Sequence, residues 1–172
     1  GGVVTVCTQR HVVPVSTLRF EAIATIIGGP FIHAVFFGEN IAAVANADTP
    51  PHNPLFVLIY QATTGVFLKS IVLATPVISL KTNGELLFVA TESKIVALDC
   101  TDFKAIGEIV RENRSGVMAI SQSHLLFIDD SNPVIVYIAK LTSLEVITQI
   151  KAHYSAIRTI LGRHYMLCDY LF

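Results

Sequence analysis

The side chains able to do chemistry are few, and their spacing argues against a reaction centre. His124 and His164 stand 40 residues apart, yet a metal site needs two or more further ligands and none recurs with them. Cys7, Cys100 and Cys168 are three cysteines without a CxxC spacing. Neither a disulfide framework nor a zinc module is indicated, and a reducing compartment is the expected setting. Asp129-Asp130, and Asp99 with Asp102, are carboxylates in turn-like segments, where Asp is favoured for bonding its own backbone. No phosphate-cradling glycine loop, no GxSxG elbow and no cysteine with a suitable histidine occurs. The expectation is a chain with no catalytic residue, no metal and no cofactor.

Two segments hold residues suited to binding. The stretch 46–54, Asn-Ala-Asp-Thr-Pro-Pro-His-Asn-Pro, has nine residues of which three are prolines. It is longer than a hairpin needs, and long ordered loops on rigid scaffolds often carry function. A solvated connection stiffened by proline is the plainer reading of the same residues. The second is Lys151-Ala152-His153, where a loop histidine bonding a neighbouring turn stands against one contacting an anion. Arg111, Arg114, Lys151, Arg158 and Arg163 are scattered rather than striped, as expected of solvated faces.

What must position these residues follows from composition and pattern. The chain has 172 residues, 52% apolar and 15% charged, with a net charge of -1, against about a quarter charged in an average soluble domain. Disorder is excluded, and so is a global attraction to nucleic acid or to an anionic membrane. The uncharged run 22–38 is at the lower limit for crossing a bilayer and is broken by Gly28, Gly29, Pro30 and His33. Two buried strands joined by a Gly-Pro turn read better. The start lacks a basic segment and a long apolar run, so no secretory signal is visible.

Four segments repeat at about 40 residues: Ile32-His33-Ala34-Val35, Val77-Ile78-Ser79-Leu80, Val117-Met118-Ala119-Ile120 and Ile157-Arg158-Thr159-Ile160. Each is followed by a short polar turn and a second apolar run, at 41–45, 86–90, 125–128 and 165–168. Asn83-Gly84 is a hairpin signal, expected as a type I′ turn. The first three units each supply two further strands, at 55–61 and 66–73, 94–98 and 105–110, and 134–139 and 145–150. No stretch sustains a 3.6-residue period. Four short strands every 40 to 45 residues are the signature of a β-propeller blade. Inner strands covered on both faces explain the high apolar fraction.

The fold class expected is all-β, a partial propeller of four-stranded WD-like blades in a single domain. Its divisions are a half blade at 1–30, blades at 31–75, 76–115 and 116–155, and a half blade at 156–172. Strands at 3–8 and 22–27 complete a count of sixteen. The first pair is read as the outer half of a blade, the last as an inner half, and an open arc is favoured over a small closed ring.

Ile150-Lys151-Ala152-His153, between the last strand of one repeat and the first of the next, resembles the histidine position of WD-type repeats. The chain has no tryptophan, and Leu98-Asp99 stands at the equivalent strand end. Gly28-Gly29 before a strand, the proline-rich loop after Val44, Arg111-Glu112-Asn113 with Gly116 opening a repeat, and Lys151-Ala152-His153 together resemble the PROPPINs over residues 26–168. That resemblance implies a seven-bladed propeller that binds phosphoinositides and acts in autophagy and endosomal traffic. It implies a lipid role for His153, and a partner-docking role for Pro50, Pro51 and His52, with His52 where the family has a basic residue. The family's Phe-Arg-Arg-Gly string does not occur in the chain, so lipid binding by these 172 residues is expected to be weak or lost. The implied partners are proteins of autophagy and trafficking and a phosphoinositide membrane, with no nucleic acid. The implied location is the cytoplasm, with peripheral recruitment to endomembranes. A generic WD-like interaction module without a lipid role is the alternative.

Overall fold

A computed structural model of the chain describes residues 3–7, 11–16, 26–27, 31–45, 54–112, 114–121, 123–151, 159–161 and 166–168. All regular structure among them is β. In chain order the strands are β1 (Val3–Cys7), β2 (His11–Ser16), β3 (Ile26–Ile27), β4 (Phe31–Phe37), β5 (Asn40–Ala45), β6 (Phe56–Gln61), β7 (Phe67–Val72), β8 (Val77–Thr82) and β9 (Leu86–Thr91). They continue as β10 (Lys94–Asp99), β11 (Ala105–Val110), β12 (Met118–Ile120), β13 (His124–Ile128), β14 (Ile135–Lys140), β15 (Val146–Lys151), β16 (Thr159–Leu161) and β17 (Met166–Cys168).

Three antiparallel sheets of four strands run β4-β5-β6-β7, β8-β9-β10-β11 and β12-β13-β14-β15. A three-stranded sheet, β1-β2-β3, precedes them and the pair β16-β17 follows. The first strands β1, β4, β8, β12 and β16 are successive neighbours, so the sheets are arrayed like the blades of a propeller around an inner row. The chain is a partial β-propeller.

Each joint between sheets is an apolar layer, and the second and third strands feed two layers at once because successive side chains point to opposite faces. In β9, Leu87 and Val89 pack toward the β4–β7 sheet while Phe88 and Ala90 pack toward β12–β15. In β13, Phe127 and Leu125 join that second layer, and Leu126 and Ile128 join Ile160 of β16. Leu58 and Tyr60 of β6 meet Val12 and Ile26 of the first sheet. Continuous apolar runs are the result of burial on both faces, as the composition implied.

Three expectations are corrected. Strand β2 lies outside the sixteen expected strands, and it carries Pro14 within its run, a residue uncommon inside strands. Pro14 pairs with Thr5 of β1, and β3 pairs only with His11 and Val12, so at Pro14 the strand has a ladder on one side alone. The first sheet is not the outer half of a blade: β1 lies beside β4 in the inner row, and no ladder among the described strands joins it to β17. Finally, of the Asn83-Gly84 pair only Gly84 takes positive φ, at 98°. The Asn83 N–H donates to Leu86 O at 3.3 Å, leaving Gly84-Glu85 as the two-residue loop, with glycine first as a II′ turn requires. Asn83 Oδ1 instead accepts from the N–H groups of Glu85 and Leu86 at 3.1 and 2.8 Å.

Candidate functional site

The topology sorts the connections onto two ends of the sheets. Hairpin turns β4–β5, β6–β7, β8–β9, β10–β11, β12–β13 and β14–β15 share one end. The links β5–β6, β9–β10 and β13–β14 share the other with the crossings between blades. Of the two segments singled out from the sequence, 46–53 lies in the chain between β5 and β6, and His153 follows β15. Pro50, Pro51, His52 and His153 lie outside the described residues. The exit of the proline loop is described. Pro54 O accepts from the Val77 N–H, and Leu55 O from the Leu73 N–H, both at 2.8 Å. The loop therefore leaves on backbone tied to the entry of the next inner strand.

On the same end, Arg111 is exposed, as expected, and also engages side chains of the next blade. Its Nε stands 3.5 Å from Asp129 Oδ2, and its guanidinium lies 5.9 Å from the centre of the Tyr137 ring. Asp129 is 8% exposed, and its Oδ1 also accepts from the Ser131 N–H at 3.1 Å and hydroxyl at 2.6 Å. Asp130 Oδ2 accepts from the Ser115 N–H at 2.8 Å. Asp129 and Asp130 thus clamp the crossing from β11 to β12 onto the β13–β14 turn, which is a structural use of the carboxylate pair. The crossing also presses on the preceding blade at Gly116, where φ is +64° and a Cβ would meet Ile78 Cγ2 at 2.8 Å.

The opposite end carries a threefold device. The turns after β6, β10 and β14 each place a residue at positive φ: Gly65 at 72°, Phe103 at 63° and Leu144 at 56°. Their N–H groups donate to Gln61 O, Asp99 O and Lys140 O at 2.8, 2.8 and 2.9 Å. In each blade the turn is bonded to the first hairpin of its own sheet, through Ala62 N–H to Glu39 O, Cys100 N–H to Glu85 O and Leu141 N–H to Ser123 O. Phe103 stacks edge-on to Phe37 with centroids 6.0 Å apart, and Lys69 Nζ sits 4.8 Å from its ring centre. The Phe103 side chain in one blade's turn thereby touches both the first and the last strand of the blade before it.

The titratable groups have structural environments. Burial is the main cause pushing the Cys100 thiol up to about 11, so it stays protonated at neutral pH. Burial, then the charge of Lys81, holds His33 below its ordinary value, with a hydrogen bond to the Ile78 backbone acting in the other direction. Asp99 is held low by the Thr101 hydroxyl and N–H, and Asp102 by Lys104. Among the described residues no three His, Cys, Asp or Glu side chains converge as a metal site, and no helix is long and apolar enough to cross a membrane. What this arrangement offers is a set of hydrogen-bonded turns and blade crossings at two ends of the sheets.

No protein-family model and no curated relative matches the sequence. Solved structures do match in fold. A Kluyveromyces lactis Hsv2 with loop 6CD replaced by a Gly-Ser linker is 14% identical with a TM-score of 0.73, covering 92% of this chain and 51% of that one. Kluyveromyces marxianus Hsv2 is 18% identical with a TM-score of 0.72, over 92% and 47%. The computationally designed Ika8 protein is 8% identical with a TM-score of 0.70, over 95% and 50%. The chain spans about half the length of these structures. Hsv2 is a PROPPIN, the family whose motif order the sequence resembles.

Proposed function

We propose that the chain is part of a non-catalytic scaffold of PROPPIN type. It holds loops on rigid blades so that a phosphoinositide headgroup and a protein partner of autophagy or endomembrane traffic are engaged together, raising local concentration without a chemical step. The setting is the cytoplasm, with peripheral recruitment to membranes. Within one propeller domain divided as the repeats suggest, His153 is the lipid contact this chain contributes. Pro50, Pro51 and His52 form the partner-docking loop. The observation that supports the reading best is the fold shared with two Hsv2 structures over 92% of the chain, next to a matching order of motifs. One histidine supplies at most one charge-assisted contact, whereas phosphate recognition is built from several Arg or Lys donors. Lipid binding by these residues alone is therefore weak.

Designed Ika8, with a TM-score of 0.70 at 8% identity, shows that the fold is not confined to Hsv2, which supports a second reading, a plain WD-like protein-interaction module. Liposome flotation of the full-length gene product, with and without phosphatidylinositol 3-phosphate, separates them. Recovery that depends on the lipid supports the scaffold, and equal recovery supports the plain module.

A further inference from the structure

Between the second and third complete blades, on the end that carries the hairpin turns, the first hairpin turns and the β14–β15 turn line an open cleft of about 360 Å³. That is at the small end of the range for ligand pockets. One wall carries Glu85 and Leu86, and the other carries His124, Lys140, Leu141 and Thr142. We infer that this cleft is a docking notch for an extended protein segment carrying one carboxylate beside an apolar side chain. The inference does not depend on the lipid reading.

His124 and Lys140 are directly opposed partners on β13 and β14, so their side chains rise on one face of the sheet. His124 Nδ1 is engaged by Ser123 Oγ at 2.9 Å, which leaves Nε2 for a ligand. Lys140 makes no ion pair among the described residues. A carboxylate entering here meets an ammonium and an imidazole side by side, with Leu86 and Leu141 to receive an apolar neighbour. The pairing is particular to this junction. By the turn-to-hairpin hydrogen bonds, the counterparts of Lys140 in the other two complete blades are Gln61 and Asp99, and those of His124 are Asn40 and Leu86. Lys140 is the one full positive charge among the lining residues and Glu85 opposes it from the facing wall, so a singly charged carboxylate is favoured over a dianionic phosphate.

Fluorescence anisotropy with a fluorescein-labelled Gly-Leu-Glu-Leu-Gly peptide tests this, against the same peptide with Gln or phosphoserine in place of Glu. The Glu peptide should saturate, and the Gln peptide should bind about tenfold more weakly, the worth of a charged hydrogen bond. Lys140→Glu should weaken the Glu peptide by at least about tenfold, and Glu85→Gln should tighten it. In the unsubstituted chain, the peptide should shift the amide resonances of Leu86, Leu141 and Thr142, a readout no folding defect can imitate. No saturable binding, equal affinity for the Gln peptide, tighter binding of the phosphoserine peptide, indifference to Lys140→Glu, or shifts confined to other residues would overturn the assignment.

Discussion

Leu144, at positive φ in the β14–β15 turn, lies over Gly107 of β11 in the preceding blade, where an added Cβ would stand 2.9 Å from Leu144 Cδ1. Leu144 is 8% exposed, and the contact joins two sheets that share no backbone ladder. The joint depends on a bulky side chain in one blade and the absence of one in the next.

Gly107→Val is expected to destabilise the chain by about 1–3 kcal/mol through overpacking. Leu144→Ala should relieve that clash, so in a double-mutant cycle by urea unfolding the pair should cost less than the sum of the single changes. Additive costs would show that the two residues do not meet.

Phe103 offers a test of backbone against packing. Phe103→Ala and Phe103→Gly both lose the Phe37 and Lys69 contacts, but only glycine relaxes a φ of 63°. The glycine variant should therefore be the more stable of the two by about 1 kcal/mol. An alanine variant at least as stable as the glycine one would mean the turn is not held left-handed.

Much of this architecture is legible in the residues, and the parts that are not have physical reasons. Runs such as Leu86–Thr91 announce inner strands because both faces are covered. The positive φ of Phe103 and Leu144 cannot be read, since nothing in a phenylalanine or leucine signals a left-handed turn; only Gly65 at the equivalent place does. Strand β2 carries Pro14, a residue uncommon inside strands. Arg111 reads as a solvated cation, and its contact with Asp129 is hidden because the two stand 18 residues apart. His124 and Lys140 become neighbours only once the β13–β14 register is known. Pro50, Pro51, His52 and His153 stand on motif order alone.

His33 should give the fold a pH dependence in a window of its own. With its folded pKa below the ordinary 6.5, mainly through burial, the unfolded chain binds more protons in the interval between the two values. Stability then rises with pH across that interval, and falls as pH drops below about 6.5 toward the folded value. Asp99 and Asp102, both held low, act at more acid pH. Thermal unfolding between pH 7.5 and 5 should show the decline in the natural chain and a flatter profile in His33→Gln. Parallel profiles would remove His33 from the explanation.

The 172-residue chain alone should self-associate. The first and last sheets share no ladder among the described strands, and the outer strands expose Phe67, Leu68, Ile106, Val110, Ile147 and Ile150. Unpaired edges and apolar faces drive association. Light scattering should report a mass above 18.7 kDa that grows with concentration. A monodisperse monomer with cooperative unfolding would favour a closed ring instead.

The scaffold reading stands or falls most directly on a titration of phosphatidylinositol 3-phosphate in liposomes at physiological salt, with the isolated chain, its His153→Ala variant and the full-length product side by side. The account predicts saturable, lipid-dependent binding of the full-length product, weak binding of the isolated chain, and loss of that remainder in His153→Ala. Strong binding of the isolated chain undiminished by His153→Ala, or a full-length product that does not distinguish this lipid from phosphatidylinositol, would contradict it.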